Sequence, residues 1–493
     1  MYDLLFSMNE IIEQQAQEIE RLKEEVAHLR RLLFGKKKET LDIPQEELLP
    51  YFNELMEKLQ ASQKEVEKEK ISYEREKKSK RSFKHFDMPE DAEREVIIHD
   101  LSEEQKVDPI TGEEFECIGE DVREQLQYIT GHYKVLEIHT KKYALPKNPQ
   151  AGIITADLPE EPIKGCRAHV SLLSHVLISK FADHLPLYRI EEQFKRTGLH
   201  IPRQTLSSWV LKLGDVLSPL GDILRDQILT QDRIFTDDSP INFQIKGKKK
   251  VQEGRIWVYC GGNGPDPPLV WFEFTKDRSH SHTIQRMKSF KGVFHADAFG
   301  AYEKLDQKDG IQWQACWAHA RRKFNDVLNP NPLCKSILLM IDELFRIERE
   351  EAWKVDSDQR LSLRQEKSKK LVDAIFDACE QLIWSGELIK GKLDTAVNYL
   401  FKRRGPFSRF LENSELRIDN NVSERAIRPL TIGRKNWLFF GSDKGGQAAA
   451  TILSLIQTCR NLSINPSEYM EDILMKIKNT DDLQALLPQN WKK

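Results

Sequence analysis

Three acidic residues sit where strand and helix patterns end: Asp237 in TDDSP, Asp297 in FHADAFGAY and Glu424 in DNNVSERAIRP. Carboxylates gathered at one point repel each other and raise each other's pKa values unless positive charge is present. A divalent metal supplies that charge, and hard oxygen donors suit Mg²⁺, which keeps several waters and is completed by substrate phosphate. Two such ions, with Mn²⁺ as an alternative, can activate the attacking oxygen and steady the leaving one during in-line displacement at phosphorus. The trio therefore points to metal-assisted chemistry at a phosphodiester. Taken singly, each acid is equally well explained as a helix cap or surface charge, because the chain holds 78 Asp and Glu. Asp237 and Asp238 compete for the first position: neighbouring strand residues face opposite ways, so one of them is expected at a shared site. The seven cysteines (Cys117, Cys166, Cys260, Cys316, Cys334, Cys379, Cys459) are odd in number and never spaced as CxxC. Neither they nor the 13 histidines show zinc spacing, so no disulfide framework and no zinc is expected. GSDKGG lacks the Lys-Ser/Thr of a phosphate loop, which rules out nucleotide binding there.

The elements that would position the trio follow from periodicity. From Arg233, RIFTDDSPINFQI, RIWVYCGG and PLVWFEFT read as an antiparallel three-strand meander. SHTIQRMKSF reads as a helix and GVFHADAFGAY as a short strand ending at Asp297; a brief helix and the strand IQWQACWAHA complete a β-β-β-α-β-α-β order. A long helical stretch, Ser336 to Leu411, reads as an insertion. A further helix begins near Asp419, capped by Asp419 or Asn420 and expected to end at Pro429. In this order the first strand, the end of the fourth and the post-insertion helix can converge.

With 493 residues the chain exceeds one hydrophobic core, and several units are expected. Residues 1–35 read as a coiled coil: Leu5, Met8, Ile12, Gln15, Ile19, Leu22, Val26, Leu29 and Leu33 alternate in steps of three and four. Residues 5–33 are thus expected to build a homo-oligomer, the alternative being one amphipathic helix on its own domain. A charged helical linker (36–94) and a small β-rich module (95–160) follow. Residues 165–228 are helical with helix-turn-helix dimensions: Leu187 to Thr197, a turn at Gly198, then Arg203 to Leu213. Arg203, Gln204, Thr205 and Ser208 would lie on its reading helix, although glycine-turned helix pairs also occur in plain bundles. The core spans 229–330, the insertion 331–415, the catalytic helix and end of the core 416–445, and a C-terminal helical region 446–493. The net charge of −3 does not advertise nucleic-acid binding, so any such contact needs local basic patches. An acidic N-terminus and the lack of a long apolar run lead to the expectation of a cytoplasmic protein without membrane contact.

TDDSP, FHADAFGAY, CWAHARRKF, DNNVSERAIRP and GRKNWLFFGSDKGG, in this order, closely resemble the transposases of the insertion sequence 66 family. FGKKKE, FADHLPLYRIEEQF, QTLSSWV and LSINPSEYMEDIL also have counterparts there, so the resemblance covers most of the chain. It implies a mixed α/β protein: a ribonuclease H-like catalytic domain with a helical insertion, following a coiled coil, a β-rich module and a helix-turn-helix-like region. It further implies a DDE-type centre that cuts and joins DNA, with Asp237, Asp297 and Glu424 as catalytic and metal-binding residues. In the family the first aspartate precedes an acidic or small residue and then Thr-Pro, which selects Asp237 over Asp238. The match to HARRKF suggests that His319, Arg321, Arg322 and Lys323 hold DNA phosphates, with a similar claim for Arg425, Arg428, Arg434 and Lys435. Ordinary ion pairing on helices is the alternative. Implied partners are the element's DNA ends, the target DNA and accessory proteins of the same element. One departure concerns the family's small zinc module: its first cysteine word is here Asp108-Pro109-Ile110-Thr111-Gly112 and its second reads KKYALPKN, so zinc is not expected there. That loss keeps open an inactivated transposase acting as a DNA-binding repressor or accessory protein.

Overall fold

The computed structural model describes residues 134–139, 142–144, 153–155 and 159–492, apart from 249, 263, 265, 307, 309, 328–331 and 386–390. The expected coiled coil and charged linker lie outside the described residues, as does most of the β-rich module. The chain divides into two units, Val66–Ala156 and Met1–Glu65 with Asp157–Lys493. In the smaller unit β1 (Lys142–Ala144) pairs antiparallel with β2 (Ile153–Thr155).

The larger unit begins with α1 (Val170–Phe181), α2 (Leu187–Arg196) and α3 (Arg203–Leu229). On α2, Ile190 and Phe194 stand four apart and are buried while Glu191, Glu192 and Lys195 form its outer face, which is the amphipathic pattern that holds a short helix to a core. Gly198 turns the chain between α2 and α3 at φ +81°, a conformation that suits glycine. The sequence ends the second helix at Leu213, but α3 continues to Leu229. Gly214 is there for packing: a Cβ on it would lie 2.3 Å from the Cβ of Ala448, and Gly221 faces Thr451 on the same crossing helix. Leu206, Val210, Leu213, Leu217, Leu220, Leu224 and Ile228 keep one buried stripe along α3.

A mixed sheet follows, built from β3 (Arg233–Phe243), β4 (Gln252–Gly261), β5 (Leu269–Thr275), β6 (Gly292–Ala296) and β7 (Ile311–Ala315). Between these strands run α4 (His280–Arg286) and α5 (Gly300–Asp306), matching the expected element order. Its spatial order is β5-β4-β3-β6-β7; the first three strands are antiparallel, while β6 and β7 run parallel to β3. Helix α6 (Trp317–Asn325) follows β7, and the segment expected as an insertion holds α7 (Pro332–Glu350), α8 (Ser357–Leu363), α9 (Lys369–Trp384), α10 (Lys392–Phe401) and α11 (Arg404–Ser408). Arg364, fully buried, ties the returning chain to it. Its guanidinium donates to both Glu348 oxygens at 2.8 and 2.6 Å and to the carbonyls of Phe410, Asn413, Ser414 and Leu416.

The chain then enters α12 (Asn421–Trp437), a short strand β8 (Phe439–Phe440) beside the end of β3, α13 (Asp443–Asn461) and α14 (Pro466–Lys476). Pro429 does not end α12. Val422, Ala426, Ile427, Leu430 and Gly433 form a buried face against β3 and β4, and that packing outweighs the roughly 3 kcal/mol a helix-interior proline costs. Helix α13 covers the edge strand: Val270 N–H donates to Thr458 Oγ1 (3.1 Å) and Phe272 N–H to Ser454 Oγ (2.8 Å). Four helix residues rise about 6 Å and two strand residues about 6.6 Å, so one face of α13 matches alternate donors of β5. Among the described residues no helix is long and apolar enough to cross a membrane.

Candidate active site

Strands β3 and β6 are neighbours from which the chain departs in opposite directions, to β4 on one side and β7 on the other. In open sheets, crevices form beyond such a divergence. Pairing of β3 with β6 stops at Phe235 and His295, so the residues just beyond, Asp237 and Asp297, stand at the mouth of that crevice. His295 locks the third approach. Buried and stacked 4.2 Å from Phe235, it accepts the Arg417 N–H at Nε2 (3.2 Å) and donates from Nδ1 to Ile234 O (3.4 Å). Burial, reinforced by Arg233, holds its pKa down at about 3 and keeps the ring neutral. Beyond Arg417, Asp419 Oδ1 accepts the Asn421 N–H (3.1 Å) at the start of α12, while the Asn420 amide donates to Thr236 O on β3 (2.8 Å). That last bond fixes the first turn of α12, and with it Glu424, against the strand that carries Asp237.

The result is a polar cleft of about 430 Å³ lined by Asp237, Asp238, Asp297 and Glu424 together with Arg255, Arg278, His319, Arg322 and Arg428. Both adjacent aspartates line it, where strand alternation leads one to expect a single one. Their partners differ. Asp238 is 3% exposed, receives Arg278 Nε and Nη2 at 3.0 and 2.7 Å, and lies 3.3 Å from Arg255 Nη1. Asp237 has no ion pair among the described residues, and its Oδ1 accepts the Asp238 N–H (2.8 Å). Burial first, then the Asp297 charge, push its carboxyl up to about 8, with Glu424 adding to the shift. Asp297 is likewise raised by burial, opposed by Arg278 3.8 Å away, and caps the turn into α5 by accepting the Phe299 N–H (3.1 Å). Glu424 Oε1 is buried without a hydrogen bond, 3.6 Å from His319 Nδ1, and Arg322 Nη2 lies 3.9 Å from Oε2. Burial lowers the His319 pKa against the pull of Glu424. Asp237, without an ion pair among the described residues, stands beside Asp297 and Glu424, and three side chains offering only oxygen fit a hard divalent cation.

The other expected contact residues divide. Arg322 and Arg428 reach the cleft and are exposed. Arg321 instead pairs with Asp342 on α7 (2.5 Å), and Lys323 lies over the Tyr399 ring (4.7 Å). Arg425 pairs with Asp266, and Arg434 donates to Ser239 Oγ (2.7 Å) and to Pro240 O, clamping α12 onto β3. Arg321 and Arg425 thus make ion pairs of the kind the alternative expects, while Arg434 bonds to β3 and Lys323 contacts a ring. Lys435 is exposed on the last turn of α12. Arg203 and Gln204 are exposed and Thr205 and Ser208 half-buried at the start of α3, outside the cleft.

Sequence reading misses Arg278, Arg255 and Cys316. A signal existed for Arg255: Asp238 faces Trp257 across the β3–β4 ladder, and Arg255, two residues away, shares that face as a diagonal neighbour. Cys316, His319 and Glu424 each place a ligand atom within 4.8 Å of the others, a grouping of a kind the search for zinc spacing does not look for. Spacing conceals this set because its third donor comes from another helix.

Residues 165–448 match the family described as "Transposase IS66 family", and residues 21–97 match one described as "Transposase C of IS166 homeodomain". Three proteins of Sinorhizobium fredii (strain NBRC 101917 / NGR234), each described as uncharacterized, are similar along much of their length. The chain is 32% identical to y4qI over 395 residues (76% of this chain, 72% of y4qI). It is 30% identical to y4jD over 395 residues (76% of each) and 29% identical to y4hP over 441 residues (82% of this chain, 76% of y4hP).

Proposed function

The chain belongs to the transposase IS66 family, and from that premise we propose that it cuts DNA at the ends of an insertion sequence and joins the freed ends to target DNA. The observation that carries this reading is the meeting of Asp237, Asp297 and Glu424, from the ends of two neighbouring strands and a distant helix, in one polar cleft where burial and the acidic neighbours push the Asp237 carboxyl up. The sheet order supports a ribonuclease H-like core for that cleft. Two Mg²⁺ ions, or Mn²⁺ in their place, held by these three side chains would supply activation of the attacking oxygen and charge stabilisation at the leaving one.

The chain's own residues set the geometry. Arg322 and Arg428, exposed at the cleft, bind backbone phosphate oxygens and orient the scissile bond. Asp238 keeps Arg278 and Arg255 in place rather than holding a cation, because Arg278 engages its Oδ1 twice and Arg255 its Oδ2. Asn420 holds the distance between Glu424 and Asp237 through its bond to Thr236. The same cleft serves both steps: water is the attacking group in cleavage, and the 3′-hydroxyl so released is the attacking group in joining.

The test is a cleavage and strand-transfer assay with end DNA and Mg²⁺. Asp297→Asn should lower both products by at least about a thousandfold while leaving end-DNA binding within about threefold, the signature of lost transition-state stabilisation. Cleavage at the wild-type rate would remove Asp297 from the mechanism. Cleaved but never joined products would reduce the activity to that of a nuclease.

A further inference from the structure

We propose that Cys316, His319 and Glu424 form a binding site for a single borderline divalent metal, Zn²⁺ by its donor chemistry, and that occupation of this site draws Glu424 away from the carboxylate cleft. The inhibitory half of this inference rests on the proposed function; the binding half does not.

Cys316 is the N-cap residue of α6, and His319 stands three positions later, so the first turn brings both side chains to one side. Glu424 arrives from the first turn of α12, and two bonds lock that turn to the start of α6. Trp317 N–H donates to Ile418 O (2.9 Å) and Asn420 N–H to Cys316 Sγ (3.2 Å). One ligand atom from each of the three residues lies within 4.8 Å of the other two.

Two of these atoms are orphans. His319 Nδ1 and Glu424 Oε1 are both buried, neither makes a hydrogen bond, and they face each other at 3.6 Å. That is too long for a hydrogen bond and close to the roughly 3.4 Å edge of a tetrahedron with metal bonds of about 2.0–2.1 Å. Buried polar atoms left unpaired cost free energy, and a cation between them satisfies both. The backbone N–H on Sγ stabilises a thiolate ligand in the way outer-shell donors usually do. A sulfur, nitrogen and oxygen set disfavours Mg²⁺, which takes oxygen, and favours Zn²⁺. His319 and Glu424 also line the cleft, so an ion can enter from there and a water can complete its fourth position. Binding forms one Zn–S bond, and the thiol proton passes to solvent; the neutral imidazole and the carboxylate bind without further proton loss.

The test uses the reduced full-length chain with Co²⁺ as a spectroscopic stand-in and Zn²⁺ as competitor. One equivalent of Co²⁺ should give a thiolate charge-transfer band and tetrahedral visible bands that Zn²⁺ abolishes. Cys316→Ser should remove the charge-transfer band, His319→Ala should weaken binding by at least about tenfold, and Cys459→Ser should change neither. A charge-transfer band persisting in Cys316→Ser overturns the site. On wild-type protein alone, X-ray absorption of the Zn²⁺-loaded chain should show one sulfur neighbour among nitrogen and oxygen donors, and a shell without sulfur also overturns it. In the cleavage assay Zn²⁺ should inhibit the wild type, and Cys316→Ser should need at least about tenfold more. Should the cobalt bands behave as expected while no cleavage is ever seen, the metal site stands and the transposase reading falls.

Discussion

Asp237 and Asp238 are chemically identical neighbours in different electrostatic settings. Burial raises both carboxyls, but at Asp238 Arg278 and Arg255 oppose the shift, whereas Asp237, with no ion pair among the described residues, is pushed up to about 8 by burial and by Asp297. Asp238→Asn should therefore cost about 2–4 kcal/mol of stability in chemical denaturation, because Arg278 and Arg255 lose a buried partner. Asp237→Asn should instead abolish cleavage and stabilise the metal-free protein. The sign follows from linkage: a carboxyl whose folded pKa lies above its unfolded value contributes stability that is complete below the unfolded value near 3.8 and lost as pH rises towards about 8. Metal-free Asp237→Asn should thus exceed the wild type in stability by about 1–2 kcal/mol at pH 8, a figure reduced for solvent screening of a half-buried group, and match it near pH 4. A constant difference across that range would mean that Asp237 is not perturbed.

At the scale of elements, the link between insertion and cleft runs through Arg364. Four carbonyl acceptors hold residues 410–416, the stretch that delivers α12 to the sheet, and Glu348 on α7 is the fifth partner. Arg364→Met leaves Glu348 buried and unpaired and should cost about 3–5 kcal/mol, whereas the double variant with Glu348→Leu should recover much of that in thermal unfolding. Failure of the double variant to recover would assign the cost to the carbonyl bonds alone. The elements also differ in how much of them can be read in advance. The strand and helix order of the sheet region was legible, because period-two and period-3.6 apolar patterns are local. The ends of α3 and α12 were not: Gly214 and Pro429 look like terminators until a crossing helix and a buried face are known to lie against them.

For the molecule as a whole, a metal held in the cleft as proposed would couple binding to folding, since Asp297 and Glu424 add to the upward push on the Asp237 carboxyl that a cation would relieve. Mg²⁺ at about 100 times its dissociation constant should raise stability by about 2.7 kcal/mol in the wild type, and the gain should vanish in the triple variant Asp237→Asn, Asp297→Asn, Glu424→Gln. An equal gain in both would place Mg²⁺ binding elsewhere. The sequence by itself determined the residue types, the element order and, through its long family words, the family. Chemistry-bearing words and apolar periodicity are carried by neighbouring residues and need no knowledge of distant ones. Only tertiary structure decided which expected cations face the cleft, that Arg278 and Arg255 engage Asp238, and that Cys316 and His319 meet Glu424. Those outcomes depend on contacts between helices and strands far apart in the chain, where burial and charge set each group's behaviour and local pattern holds no record of the partner.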